Sequence, residues 1–312
     1  MGYKILLTST SFQDTPGAHH QLLKKQNFEI KMLRGPLKEN DLIEVIDKFD
    51  GIICGDDEIT KTVISKGASG KLKVISKYGI GMDKIDLVAA KEYGISVCNC
   101  PGVNKVTVAE HVFALLLAYI KNIIYENEIT QNQKWIRLTG KELYDKTIGI
   151  LGTGNIGKEV ITRALAFGMK VIAFDKYPDK KFASRYNVKY YSSPIELIKK
   201  SDFISLNLTL DSQTRKIINN QSLSYMKKGI IIVNTARAGL VDNQAILDGI
   251  EKGIIAGYLT DVLEEEPLTS QHRFLGKKEI IITPHIGSRT HENVVKQGKM
   301  AVENLIKSIL NE

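Results

Sequence analysis

Three polar side chains in the second half of the chain are of the types that handle a proton beside a carboxylate-bearing substrate. Arg237 lies in Asn234-Thr235-Ala236-Arg237-Ala238-Gly239, Glu266 in Asp261-Val262-Leu263-Glu264-Glu265-Glu266-Pro267, and His285 in Thr283-Pro284-His285-Ile286-Gly287. A guanidinium can hold a carboxylate through two parallel hydrogen bonds. An imidazole can give a proton to a forming alkoxide and take it back in reverse. A carboxylate beside the ring orients it and favours its protonated form. Hydride transfer to a 2-oxo acid needs this set. Each residue alone also has a structural explanation: a salt bridge for Arg237, a solvated acidic loop for Glu266, a turn for His285 beside Pro284. Three such residues at successive strand ends reinforce one another, because open α/β sheets place their ligands there.

A second constellation supplies the partner for that chemistry. Gly152-Thr153-Gly154-Asn155-Ile156-Gly157 follows the β-like run Thr147–Leu151 and opens a helical segment, Lys158–Phe167. A second β-like run, Lys170–Phe174, ends at Asp175, 23 residues after Gly152. This is the layout of a dinucleotide site. Gly152 permits the tight turn, Gly154 lets the backbone approach a pyrophosphate, Gly157 lets helix and strand pack closely, and the helix N-terminus favours the anion. Asp175 then accepts hydrogen bonds from the adenosine ribose, and its charge repels a 2′-phosphate, so NAD is expected in preference to NADP. Lys176 is expected to point to solvent.

The elements that position these residues read as two α/β units. Before the glycine motif, Lys4–Thr8, Glu29–Leu33, Gly51–Cys54, Lys73–Ser76 and Ser96–Cys98 are short apolar runs suited to buried strands. Amphipathic stretches, His20–Gln26, Glu39–Lys48, Lys61–Ser65 and Lys84–Tyr93, alternate with them. Such alternation implies parallel sheets with helices on their faces. Cys100-Pro101-Gly102-Val103-Asn104 marks a domain crossing, and one long apolar helix is expected from Val106 to Tyr125. After Asp175, strands are expected at Val188–Tyr191, Phe203–Leu208, Ile230–Asn234, Ile255–Val262 and Ile280–Thr283. Ser193 and Asp242 read as helix caps. The last helix, Glu292–Leu310, is free to return to the N-terminal domain and make it discontinuous.

Composition bounds the remaining classes. With 312 residues, 43% hydrophobic and 25% charged, the chain has ample core for two domains. The net charge of +8 comes from scattered lysines, with pairs such as Lys24-Lys25 as the densest runs, so no nucleic-acid partner is expected. No signal peptide and no membrane span are expected, and Cys54, Cys98 and Cys100 leave an odd thiol that fits a reducing cytoplasm. No metal site is expected: His19-His20 reads as part of a polar loop, His272 lies near a loop, and His291 opens the last helix. His111, after Glu110, reads as a packing or hinge residue.

Nearly end to end, the chain resembles the D-isomer-specific 2-hydroxyacid dehydrogenase family. The resemblance rests on Lys77-Tyr78-Gly79-Ile80-Gly81-Met82-Asp83-Lys84-Ile85-Asp86, Val108-Ala109-Glu110-His111, the glycine motif, Asn234 through Asp242, Glu266-Pro267 and Pro284-His285-Ile286-Gly287. It implies two doubly wound parallel-sheet domains. These are a smaller, discontinuous substrate domain (1–103 plus 286–312) and a Rossmann NAD-binding domain (104–285). It implies Arg237 as substrate anchor, His285 as acid/base, Glu266 as its partner, and substrate contacts from Gly79, Ile80 and Gly81. Around NAD it implies Thr107, Gly152, Gly154, Asn155, Ile156, Gly157, Asp175, Leu208, Thr209, Thr214, Thr235, Ala236, Asp261 and Gly287. It further implies a homodimer acting on a small 2-oxo or 2-hydroxy acid, with the active site in the cleft between domains.

Some positions depart from the family pattern. Lys77 stands where many members have arginine, Asn207 where many have histidine, Thr209 where many have proline, and Ser288-Arg289 replaces a smaller pair. The loop Gly55-Asp56-Asp57-Glu58 is acidic where phosphoglycerate-type members tend to be basic, which speaks against a phosphorylated substrate unless Arg289 or Lys84 compensates. The sequence carries no regulatory extension after the last helix, so feedback through such a domain is not expected. The alternatives are a phosphoglycerate dehydrogenase-type enzyme and a non-catalytic NAD-sensing module.

Overall fold

The computed structural model describes residues 2–310. The outermost residues of the expected substrate domain, Met1, Asn311 and Glu312, lie outside the described residues. The chain divides into two compact units, Met1–Asn104 with Ser288–Glu312, and Lys105–Gly287. The boundaries therefore fall after Asn104 and Gly287, where the sequence reading places them after Val103 and His285. Both units are α/β with parallel sheets, the fold class read from the alternation.

The first unit holds a five-stranded sheet of β1 (Lys4–Leu7), β2 (Glu29–Met32), β3 (Gly51–Cys54), β4 (Val74–Lys77) and β5 (Ser96–Cys98), in the order β2-β1-β3-β4-β5. Successive side chains point to opposite faces. Leu6, Ile52 and Ile75 pack with Leu42, Ile46, Val63 and Ala89 on one side, while Ile5, Leu7, Ile53 and Val74 pack with Phe12, Leu23, Val302 and Leu305 on the other. The helix His291–Leu310 belongs to this second face and is tied to β4 by Ser76 Oγ, which donates to the Ala301 carbonyl at 2.7 Å. Each fully buried aliphatic side chain contributes roughly 1.5–3 kcal/mol, so the face fixes where the chain must return.

The second unit holds seven parallel strands: β6 (Thr147–Leu151), β7 (Lys170–Phe174), β8 (Lys189–Tyr190), β9 (Phe203–Leu206), β10 (Ile230–Asn234), β11 (Ile255–Thr260) and β12 (Ile280–Ile282). Their order is β12-β11-β10-β9-β6-β7-β8. The connection reverses direction between β6 and β9, and such a switch point is where open α/β sheets bind ligands in a crevice at their carboxyl edge. Among the described residues no single helix is long and apolar enough to cross a membrane.

Three local expectations are corrected. The helix expected over Val106–Tyr125 is two, Lys105–Ile120 and Ile123–Gln131, bent by 58°. The break sits at Asn122, whose φ of 55° is left-handed, a conformation asparagine tolerates better than most residues. The segment Glu39–Lys48 splits into a short helix, Glu39–Ile43, and a 3₁₀ turn, Ile46–Lys48. His19-His20 is not a polar loop: both lie on the helix Ala18–Lys24, and His19 is fully buried.

Candidate active site

The geometry of the glycine turn fits a pyrophosphate. Gly152 has φ +94°, and a Cβ there would stand 2.6 Å from the Asn207 carbonyl oxygen. At Gly157 a Cβ would stand 2.1 Å from the Gly152 carbonyl, so neither position takes a larger residue without backbone movement. Gly154, by contrast, faces open space within 4 Å of its absent Cβ. The helix begins at Asn155 with no side-chain cap and no acid in its first turn. Asn155 and Ile156 therefore present backbone N–H groups and the positive end of the helix dipole to an anion. Beside the turn, Asn207 donates to Ser205 while its buried Oδ1 has no hydrogen-bond partner. Asp175 closes this end of the crevice, its Oδ2 accepting from Thr153 N at 2.6 Å and its Oδ1 from Tyr177 N at 2.8 Å. An open cradle, an uncapped helix and an orphaned acceptor fit a dinucleotide.

The loop after β9 is tied by Thr214, whose hydroxyl donates to the Thr209 carbonyl at 2.6 Å and accepts from Asp211 N at 2.8 Å. Thr209 and Leu208 thus lead out of the crevice on a fixed turn. After β10, Asn234 organises the next loop. Its Oδ1 accepts from Ala236 N at 3.1 Å and its Nδ2 donates to the Arg237 carbonyl at 3.0 Å, which shapes Thr235-Ala236-Arg237. Arg237 is partly buried and Nη1 donates to the Ala236 carbonyl at 2.8 Å.

His285 and Glu266 meet. His285 Nδ1 lies 2.8 Å from Glu266 Oε2, and Glu266 Oε1 accepts from Leu263 N at 2.8 Å. Both side chains are about one-third exposed, at 32% and 30%. With Nδ1 directed at a carboxylate, the ring is oriented so that Nε2 is the nitrogen suited to proton chemistry. His285 has a left-handed φ of 54°, an uncommon conformation outside glycine. Asp261, just past β11, shapes that turn. Its Oδ1 accepts from Thr283 Oγ1 at 2.5 Å and Ile286 N at 2.9 Å, and its Oδ2 from Gly287 N at 2.7 Å. Burial pushes its carboxyl pKa up, but the bonds from His111, Thr283 and Ile286 outweigh it and hold the group ionised. A Cβ at Gly287 would stand 2.8 Å from Asp261 Oδ2, so only glycine brings its N–H this close.

The sequence reading misses part of this arrangement. His111 Nε2 lies 3.0 Å from Thr283 Oγ1 and 3.4 Å from Asp261 Oδ1, so it braces the His285 turn. The sequence reading gave His111 a packing or hinge role, without linking it to Thr283 and Asp261. Thr107, on the same helix, reaches the Gly287 carbonyl at 3.4 Å.

Gly79, Ile80 and Gly81 lie in the first unit, after β4. Gly79 has φ +143°, its carbonyl accepts from Cys100 N at 2.8 Å, and the Ile80 carbonyl accepts from Asn99 Nδ2 at 2.8 Å. The acidic loop 55–58 follows β3, the neighbour of β4 in the sheet. Asp57 is 1% exposed and accepts from Thr8 Oγ1 at 2.6 Å, Leu37 N at 2.7 Å and Gly55 N at 2.8 Å. Asp56 pairs with Lys77 at 2.6 Å and Glu58 with Lys38 at 2.8 Å. The buried Lys77 ammonium also donates to the Gly55 carbonyl at 2.5 Å. Asp56 and Glu58 are thus each paired with a lysine, while Asp57 is held by three neutral donors and organises the loop. Elsewhere in the first unit, Arg289 pairs with Asp14 at 2.5 Å. Arg34 holds the same carboxylate at 2.5 Å, and the two arginines draw its pKa down to about 2.

The sequence model described as "D-isomer specific 2-hydroxyacid dehydrogenase, NAD binding domain" matches residues 113–287. The chain belongs to the D-isomer-specific 2-hydroxyacid dehydrogenase family. As a member it is an oxidoreductase acting on a CH–OH group with NAD. It is 39% identical to a hydroxypyruvate reductase of Thermotoga maritima, over 93% of this chain and 94% of that one. It is 37% identical to a D-3-phosphoglycerate dehydrogenase of Methanocaldococcus jannaschii over 91% of this chain, but spans only 54% of that protein's length. Among solved structures, the D-lactate dehydrogenase of Aquifex aeolicus, complexed with NAD and lactic acid, is 28% identical. It superposes with a TM-score of 0.85 over 98% of this chain and 95% of that one.

Proposed function

We propose that this 2-hydroxyacid dehydrogenase interconverts a small 2-oxo acid and its D-2-hydroxy acid, with NAD preferred to NADP. The observation that carries the reading is the His285–Glu266 pair at 2.8 Å, in the same unit as the glycine cradle. In the reductive direction His285 donates the Nε2 proton to the substrate oxygen as it gains negative charge. Glu266 stabilises the imidazolium before transfer and fixes the ring so that Nε2 is the donor. Arg237 would hold the substrate carboxylate, and Gly79, Ile80 and Gly81 are proposed as substrate-binding residues of the first unit. The bound nicotinamide supplies or accepts the hydride. Thr107, Gly152, Gly154, Asn155, Ile156, Gly157, Leu208, Thr209, Thr214, Thr235, Ala236, Asp261 and Gly287 would line the cofactor.

Preference for NAD rests on Asp175, whose charge opposes a 2′-phosphate. Lys176 is exposed and donates to Gln213 Oε1 at 3.1 Å. Comparing kcat/KM with NADH and NADPH on one substrate tests this, and equal use of NADPH would refute it. Asp175→Ala narrows the gap.

A panel of 2-oxo acids with NADH tests the activity itself: glyoxylate, hydroxypyruvate, pyruvate, larger 2-oxo acids and 3-phosphohydroxypyruvate. Turnover of none, with NADH still bound tightly, would favour the non-catalytic sensor. A phosphoglycerate-type substrate stays in the panel because two of the three loop carboxylates, Asp56 and Glu58, are paired with lysines, and a wide preference for 3-phosphohydroxypyruvate would assign it. A homodimer is part of the proposal, supported by exposed apolar side chains on the helix Ile123–Gln131 and the segment after it. A cytoplasmic location is supported by three free thiols, of which Cys54 and Cys100 are buried.

A further inference from the structure

The edge strand β8 contributes a side chain that no sequence motif marks. Tyr190 pairs in register with Ala173 of β7, and its ring packs on the core that includes Ala173 and Val188. Its hydroxyl donates to Thr153 Oγ1 at 2.8 Å. Thr153 is the residue between the first two glycines of the cradle and is 4% exposed. Having accepted from Tyr190, the Thr153 hydroxyl donates its own proton to Asp175 Oδ2 at 3.0 Å. The Thr153 N–H donates to the same oxygen at 2.6 Å, and Tyr177 N donates to Oδ1 at 2.8 Å. A hydroxyl that accepts one bond has its donor direction fixed, and a chain of such bonds polarises along its length.

We propose that Tyr190 is a positioning residue for the adenosine half of the cofactor site, acting through Thr153 to hold the Asp175 carboxylate in one orientation. Three protein donors take three of the roughly four acceptor directions of a carboxylate, which leaves about one for a ribose hydroxyl. Without the tyrosine hydroxyl, Thr153 loses its fixed donor direction, and the carboxylate gains freedom that ligand binding must then remove. The proposal rests on the NAD reading given above. It goes beyond it in naming an edge-strand tyrosine, outside the glycine motif, as part of cofactor recognition.

Equilibrium titration with two halves of the cofactor separates this role from a fold staple. ADP-ribose carries the adenosine ribose, and reduced nicotinamide mononucleotide lacks it. In Tyr190→Phe and in Thr153→Val, ADP-ribose affinity falls roughly three- to tenfold, the worth of one neutral hydrogen bond. Affinity for the mononucleotide stays at the wild-type value, and Thr153→Ser restores ADP-ribose binding. Wild-type ADP-ribose affinity in Tyr190→Phe overturns the proposal, as does equal weakening of both probes, which marks a disturbed fold. If Tyr190→Phe does not fold, the Thr153→Val and Thr153→Ser pair decides on the same criteria. Wild-type protein that binds neither NADH nor ADP-ribose overturns the cofactor reading, and this proposal with it.

Discussion

At the scale of single residues, the candidate chemistry rests on one imidazole whose two nitrogens have different work. Glu266 is directed at Nδ1, so removing the ring and removing its partner are different experiments. His285→Ala removes the proton donor, and general acid–base contributions of about 10²–10⁴-fold set the expected loss in kcat. NADH affinity, measured by fluorescence titration, stays near the wild-type value because the glycine cradle is untouched. A kcat within a few-fold of wild type on a proven substrate would sink the acid/base assignment. Glu266→Gln keeps the shape but replaces a charge with a neutral amide, so the imidazolium loses its stabilisation and the pH–rate profile moves to lower pH. An unmoved profile would show that Glu266 only packs. Arg237→Lys keeps the charge but gives up the two-pronged geometry. It is expected to raise KM for the acid by an order of magnitude or more with NADH binding unaffected. Weakening of NADH instead would argue against its role as substrate anchor.

At the scale of elements, the helix Ala18–Lys24 carries a pH dependence that the sequence concealed. His19 lies against Gly298 of the helix His291–Leu310: a Cβ on that glycine would stand 2.7 Å from the ring. The His19 and His20 rings are 4.3 Å apart, beside Phe12, and both Nδ1 atoms are buried without a partner. Burial lowers the pKa of His19, helped by His20 and opposed by a bond to the Phe12 carbonyl. Burial, then the nearby Lys24, lowers that of His20. The folded protein therefore binds these protons less readily than the unfolded chain. The stabilisation is complete above the ordinary histidine pKa of about 6.5 and is lost as pH falls through that value towards the depressed ones. Chemical denaturation at pH 7.5 and 5.5 should show lower stability at 5.5, with His20→Gln flattening the dependence. A slope unchanged in that variant would remove His20 from the account. The same helix shows why some of the site was legible and some was not. Strands, glycine turn, Asp175 and the Arg237, Glu266 and His285 loops follow from patterns local in sequence. The burial of His19 depends on a glycine 279 positions away, and the His111 brace on Thr283 and Asp261, so no local window contains either. The pairing of Asp56 and Glu58 in the acidic loop is non-local in the same way, since Lys77 and Lys38 lie elsewhere in the chain.

At the scale of the whole molecule, the unsettled surface is apolar and concentrated. Scattered exposed hydrophobic residues are ordinary. Here Ile123, Ile124 and Tyr125 are each about half exposed at the start of one helix, and Trp135 and Tyr144 are 82% and 70% exposed in the irregular stretch that follows it. That stretch is not loose. Leu138 N donates to Glu126 Oε1 at 2.6 Å and Lys141 N to the Ile120 carbonyl at 2.8 Å, which pins it along the helices. An ordered apolar surface of this kind supports the proposed association with a second copy of the chain. The protein should sediment at twice the 34.8 kDa chain mass. Trp135→Glu, which sets a charge where a large aromatic anchor stood, should shift it towards the monomer at micromolar concentration. Salt discriminates the driving force. Each chain carries a net charge of +8, so two copies repel, and ionic strength that screens this repulsion should tighten an apolar interface. An interface held by ion pairs would loosen under the same change. Dissociation on raising salt from about 0.05 to 0.5 M would therefore contradict the apolar account, and a wild-type monomer at all concentrations would remove the dimer altogether.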